Sequence, residues 1–172
     1  MRRAWRAVPR ARPLLLVALL VAALVVAELA GGSGSTDTGR AAPPLPAKAL
    51  RPPAVDLAAL RGKPALGDFF ARWCEPCAEE APTLRALAAA LGGRAHVVAV
   101  DWDDADRAAR AFVRRNRWIF PVLADTSGVA GEEYGLVGLP TSFVLDPRGR
   151  IVATFRGPQS EAKLRQALLE AA

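Results

Sequence analysis

Hydrophobic positions along the chain change character twice. Every residue from Leu14 to Ala27 is apolar. That pattern then gives way to Gly-Gly-Ser-Gly-Ser-Thr, Ala-Ala-Pro-Pro-Leu-Pro and Arg51-Pro52-Pro53 across residues 31–54. From Lys63 onward, short apolar runs suited to buried strands alternate with stretches whose apolar residues recur at helical spacing. Ala65 to Phe70 predicts a strand. Glu75 to Leu91 predicts a helix with Ala81, Leu84, Leu87, Ala88 and Leu91 on one side, stopped by Gly92-Gly93. Ala95 to Val100 reads as a second strand, and Asp101 to Asp104 as acceptors for the N-terminus of a helix carrying Ala105, Ala108, Ala109, Phe112 and Val113 inward. Phe120 to Ala124 predicts a third strand, followed by a short helical segment around Val129 to Tyr134. Ser142 to Leu145 and Ile151 to Phe155 flank the turn signal Asp146-Pro147-Arg148-Gly149 and predict a hairpin. A last helix opens after Pro158 and Ser160 with Leu164, Ala167 and Leu168 inward.

The order βαβαβ, then ββ and a helix, implies an α/β fold: a central mixed sheet with helices on both faces. The expected organisation is a targeting segment over 1–30, a linker over 31–54 and one domain over 55–172. A single domain suits the length of 172 residues. No internal repeat is visible.

Charge changes the picture only by where it sits. The net charge of +6 is concentrated in Arg2, Arg3, Arg6, Arg10 and Arg12, whereas Asp56 to Ala172 holds 15 Lys/Arg against 15 Asp/Glu. A neutral domain behind a basic leader argues against a nucleic-acid partner. A basic segment before an apolar run is a membrane-targeting pattern. The run's 14 residues leave two readings open. It is either a single-pass signal-anchor, with Glu28 among the headgroups, or a signal peptide cleaved near Val25-x-Ala27. Both place the domain on the extracytoplasmic side, and the arginines keep the N-terminus in the cytoplasm. No cysteine lies near the run to carry a lipid.

The only two cysteines are Cys74 and Cys77, in Cys74-Glu75-Pro76-Cys77. So short a loop gains little chain entropy from a structural bridge, so chemistry explains the pair better. With Cys74 at the start of a helix, unpaired backbone N–H groups and the helix dipole favour its thiolate. Cys77, one turn on, is shielded. Cys74 therefore attacks a substrate disulfide, and Cys77 resolves the mixed disulfide.

Asp68-Phe69-Phe70-Ala71-Arg72-Trp73-Cys74-Glu75-Pro76-Cys77, with Glu80, Pro82, Phe120-Pro121-Val122-Leu123 and Tyr134-Gly135-Leu136-Val137-Gly138-Leu139-Pro140-Thr141, resembles the thioredoxin superfamily. The closest resemblance is to its TlpA/ResA-like branch of membrane-anchored thiol-disulfide oxidoreductases. The resemblance spans about residues 57 to 170 and implies a thioredoxin-like fold. It implies that Pro140 is a cis-proline opposite the dithiol and that Leu139 offers backbone groups to substrate. Glu80 matches an active-site acid and Asp68 the buried acid that takes the resolving thiol's proton. Trp73, Glu75 and Pro76 border the site. The branch more often has a large apolar residue and Asn where this chain has Gly67 and Asp68, and its cytochrome c reductants usually have glutamate where Thr141 stands. An N-terminal hairpin found in many relatives is expected to be reduced or missing.

His96 is expected at an ordinary strand end, and Trp102 and Trp118 in packing or at the surface. The favoured function is an extracytoplasmic disulfide reductase, in cytochrome c maturation or redox homeostasis. The rivals are a disulfide-forming oxidase and a Cu(I) carrier using both thiolates. A peroxidase lacks its usual Thr or Ser three residues before the cysteine, since Ala71 stands there. No organic cofactor or resident metal is expected. Without a dinucleotide or flavin motif, electrons must come from a partner. The resemblance implies a membrane electron-donor protein, with exported cysteine-containing proteins as substrates.

Overall fold

A computed structural model describes residues 38–172; the expected targeting segment and the start of the linker lie outside them. Among the described residues no helix is long and apolar enough to cross a membrane. The elements are β1 (Ala49–Arg51), α1 (Leu57–Leu60), β2 (Ala65–Phe70), α2 (Glu75–Leu91), β3 (His96–Trp102), α3 (Asp106–Arg115), β4 (Val122–Asp125), α4 (Val129–Glu133), β5 (Thr141–Leu145), β6 (Ile151–Arg156) and α5 (Glu161–Glu170). They form one six-stranded sheet in the order β1-β4-β3-β2-β5-β6. β2, β3 and β4 are mutually parallel, and β1, β5 and β6 join antiparallel.

Two cores follow from strand alternation. Leu66 and Phe70 of β2 share one core with Leu84 and Leu87 of α2, Phe112 of α3 and Leu164 of α5. Ala65 and Phe69, pointing the other way, pack with Leu60 of α1, Ala130 of α4 and Tyr134. Helices thus cover both faces of a mixed sheet, as the sequence implied. Phe70, Phe112 and Trp118 form an aromatic cluster in the first core, with ring centroids 4.7–5.5 Å apart. Trp118 also donates its indole N–H to the Ala81 carbonyl at 3.0 Å, so it is a packing residue, as expected.

Three sequence expectations need correction. The linker does not run to residue 54. Ala42 and Leu50 are buried, Ala41 bridges to Arg150, and β1 pairs with the edge of β4. Prolines around β1 are compatible with an edge strand, which needs only one side of its backbone for the ladder. No N-terminal hairpin forms among the described residues, in line with the expected reduction. Strand β3 runs two residues past Val100, because Asp101 and Trp102 pair with Ala124 and Asp125 of β4. The acidic run consequently does not cap α3. Ala105 takes the cap position without a side-chain bond, and the Asp104 carboxylate instead accepts from the Arg72 backbone N–H at 3.0 Å.

Gly67, the departure in β2, is not imposed by space. A methyl there would meet only the Phe143 carbonyl, at 4.0 Å. Gly67→Ala is expected to raise stability by about 0.5–1 kcal/mol through lower unfolded-state entropy, read from urea midpoints.

Candidate active site

Strand β2 ends beneath a turn, Ala71-Arg72-Trp73, that delivers Cys74 to the N-cap of α2. Pro76 falls in the first turn, where a missing N–H costs no helix hydrogen bond. Cys74 and Cys77 form a disulfide, and the Cys74 Sγ accepts from the Cys77 N–H at 3.1 Å. An N–H that points at Sγ in the disulfide is already placed to stabilise the thiolate of the reduced form. The two sulfurs are not equivalent. Both residues are largely buried, but only Cys74 lines a surface groove, together with Trp73, Glu75, Pro76, Trp102, Leu136, Val137 and Leu139.

Across that groove the Leu139–Pro140 peptide bond is cis, as the resemblance implied. The Pro140 carbonyl accepts from Gly157 N–H and the Thr141 hydroxyl donates to Gly138 O at 2.7 Å, which fixes the turn. No hydrogen bond among the described residues engages the Leu139 N–H or C=O. Both remain available to an extended chain lying in the groove.

Behind the dithiol lie two buried carboxyls. Glu80 follows Cys77 by one helical turn and is 2% exposed, whereas its neighbour Glu79 is exposed. Its Oε1 accepts from the Gln159 N–H at 2.8 Å and its Oε2 has no partner. Burial pushes Glu80 up to about 7, against the opposing hydrogen bond. Asp68, on the α2-facing side of β2, accepts from the Ser142 hydroxyl at 2.7 Å through Oδ2 and leaves Oδ1 unpaired. Burial first, and then the charge of Glu80, hold Asp68 well above the usual carboxylate range, with Ser142 opposing. Two like charges cannot both be comfortable here, so the pair retains a proton near neutrality. Such a pair can take the Cys77 proton and return it.

The family model described as AhpC/TSA family matches residues 38–154. The chain belongs to the AhpC/TSA family. Within it, the thiol-disulfide oxidoreductase ResA of Bacillus thuringiensis subsp. konkukian is 30% identical over 133 residues, covering 77% of each chain. A Chlorobium tepidum protein assigned as the thiol:disulfide interchange protein DsbE is 30% identical and superimposes with a TM-score of 0.73, covering 80% of this chain and 99% of that one. A secreted Mycobacterium tuberculosis disulfide oxidoreductase is 26% identical with a TM-score of 0.66, covering 73% and 95%. This AhpC/TSA member is a thiol-disulfide oxidoreductase of thioredoxin-like fold, with its cysteine pair in place at the head of α2.

Relative to the sequence reading, this AhpC/TSA chain brings Asp68, Trp73, Cys74, Glu75, Pro76, Cys77, Glu80, Leu139 and Pro140 to one end of the sheet. His96 sits at the opposite end of its strand, as expected. Two residues at the active end were missed. Trp102, expected as packing or surface, lines the groove and faces Trp73 at 6.4 Å between ring centroids. Its place at the carboxyl end of a parallel strand was the available signal. Asp101, expected as a helix cap, is 1% exposed with neither carboxylate oxygen hydrogen-bonded.

Burial, then Asp104 and Asp106, raise Asp101 to about 8, with Arg72 opposing. Because this value lies above that of an unfolded aspartate, the protonated form stabilises the fold at low pH, and that contribution is lost as pH rises through about 8. Asp101→Asn is therefore expected to match the wild type only below about pH 4, where the aspartate is protonated folded and unfolded alike, and to exceed it by about 1–3 kcal/mol at pH 9, measured by urea unfolding.

Proposed function

We propose that the chain is an extracytoplasmic disulfide reductase held at the membrane by its N-terminal segment. The observation that carries the direction of exchange is the acidic character of the charges built behind the dithiol. Asp68 and Glu80 are both carboxyls, one retaining a proton, and the first turn of α2 adds Glu75. Negative charge beside a thiol disfavours its thiolate, and a reduced form with less stabilised thiolate belongs to a more reducing couple.

In the reduced protein the Cys74 thiolate attacks one sulfur of a substrate disulfide. A Cys74–substrate disulfide forms and the other substrate sulfur leaves as a thiolate, which takes a proton. The Asp68–Glu80 pair accepts the Cys77 proton. The Cys77 thiolate attacks Cys74 Sγ, the second substrate sulfur leaves, and the substrate is left as a dithiol. The Cys74–Cys77 disulfide that results is the form described above. Two electrons from a membrane donor protein restore the dithiol, and no organic cofactor takes part.

Export is supported by the basic and apolar N-terminal sequence and by likeness to a secreted oxidoreductase. Exported cysteine-containing proteins, apocytochrome c among them, are the substrates. Incubating the reduced chain with an oxidised exported protein, and the oxidised chain with a reduced unfolded one, tests the direction. Fast reduction and slow oxidation are expected; the reverse would favour the disulfide-forming oxidase. An intact chain that exchanges in neither direction but binds Cu(I) stoichiometrically would favour the carrier reading.

A further inference from the structure

The groove beside Cys74 has a volume of about 430 Å3, large enough for a bulky side chain. Its walls are apolar except at Glu75: Trp73 and Pro76 on the dithiol side, Leu136, Val137 and Leu139 on the cis-proline side, and Trp102 between them. Trp73 and Val137 are 54% and 77% exposed, so the groove opens to solvent through apolar lips beside the reactive sulfur. Extended polypeptide is the occupant the site fits, since Leu139 presents an unengaged N–H and C=O along the same opening.

Trp102 holds this shape through a contact remote from the dithiol. Its indole Nε1 is buried without a hydrogen-bond partner, pressed against α4 where no side chain stands. A Cβ added at Gly131 would lie 2.4 Å from Trp102 Nε1, 2.5 Å from Cδ1 and 3.2 Å from Leu136 Cδ2. Gly131 is therefore the seat of two groove residues at once. Its own N–H donates to Asp125 Oδ2 at 2.8 Å, which pins the glycine at the end of β4. An indole N–H left without an acceptor is costly, and here it is tolerated where the rest of the ring walls the groove beside Trp73.

We propose that Trp102, seated on Gly131, is a specificity-determining residue that selects polypeptide disulfides whose cysteine is flanked by large apolar side chains. This inference rests on the exchange reading above and adds the substrate class. Gly131 acts as a positioning residue through Trp102 and Leu136.

The test uses the reduced full chain and symmetric disulfides of two peptides that differ only in a Leu-Cys-Leu or a Ser-Cys-Ser core. The wild type is expected to favour the leucine peptide by at least about tenfold in kcat/KM, mainly through KM, as one apolar group filling a pocket supplies. Trp102→Ala should bring that ratio toward unity, Trp102→Phe should restore most of it, and the reduction potential should stay unchanged in both. Gly131→Ala should also erode the ratio. A wild type that treats both peptides alike, or a Trp102→Ala chain that keeps the wild-type ratio while slowing on both, would overturn the proposal. Exchange with neither peptide by the wild type would overturn the exchange reading and this inference with it.

Discussion

Cys74→Ser is expected to abolish disulfide exchange, a loss of more than about a thousandfold, and to yield no covalent complex with substrate. Cys77→Ser should lose turnover to a similar extent for a different reason. It still attacks, but nothing resolves the intermediate, so a mixed disulfide through Cys74 accumulates and is visible on a non-reducing gel. The asymmetry follows from the site. Cys74 lines the groove, while Cys77 is buried away from it, one helical turn before Glu80. Accumulation with Cys74→Ser instead would reverse the roles. Neither variant should unfold the domain, because a four-residue bridge contributes little compared with the two cores on either side of the sheet.

Glu80→Gln is expected to move rate and stability in opposite directions. The amide can still accept from the Gln159 N–H, so the α2–α5 junction is kept, but it cannot take a proton. Removing a general base should slow resolution by about 100-fold or more, with the mixed disulfide living longer. The pH dependence should change with it. Glu80 is held at about 7, above an unfolded glutamate, so its stabilising contribution is complete at low pH and is lost as pH rises through about 7. At pH 8 the wild type carries the cost of a buried carboxylate and the variant does not. A gain of about 1–3 kcal/mol at pH 8, shrinking toward zero near pH 5, is expected from urea unfolding monitored by circular dichroism. A variant that exchanges at the wild-type rate would remove Glu80 from the mechanism.

Legibility in the sequence tracked how local each determinant is. β2 and α2 were found at their observed limits, because a run that is apolar but for Asp68, Pro76 at the helix start and Gly92-Gly93 at its end are local signals. The cysteines, Glu80, Asp68 and Pro140 were legible through spacing and resemblance together. β1 was not, because Ala49–Arg51 becomes a strand only through the edge of β4. The last residues of β3 failed for the same reason: Asp101 and Trp102 look like loop until β4 pairs with both and β2 with Asp101. Long-range pairings such as Asp68 with Ser142, or Trp102 on Gly131, carry no signal in one sequence.

The most direct measurement of the central claim is the equilibrium of the Cys74–Cys77 pair against glutathione, followed by thiol trapping. The account predicts a reducing couple, nearer the roughly −270 mV of thioredoxin than the roughly −120 mV of a strong disulfide-forming oxidase. Loss of the carboxyls, in Asp68→Asn with Glu80→Gln, should shift it toward less negative values. An oxidising couple in the wild type, unmoved by those substitutions, would contradict the reductase and the role given to the buried pair.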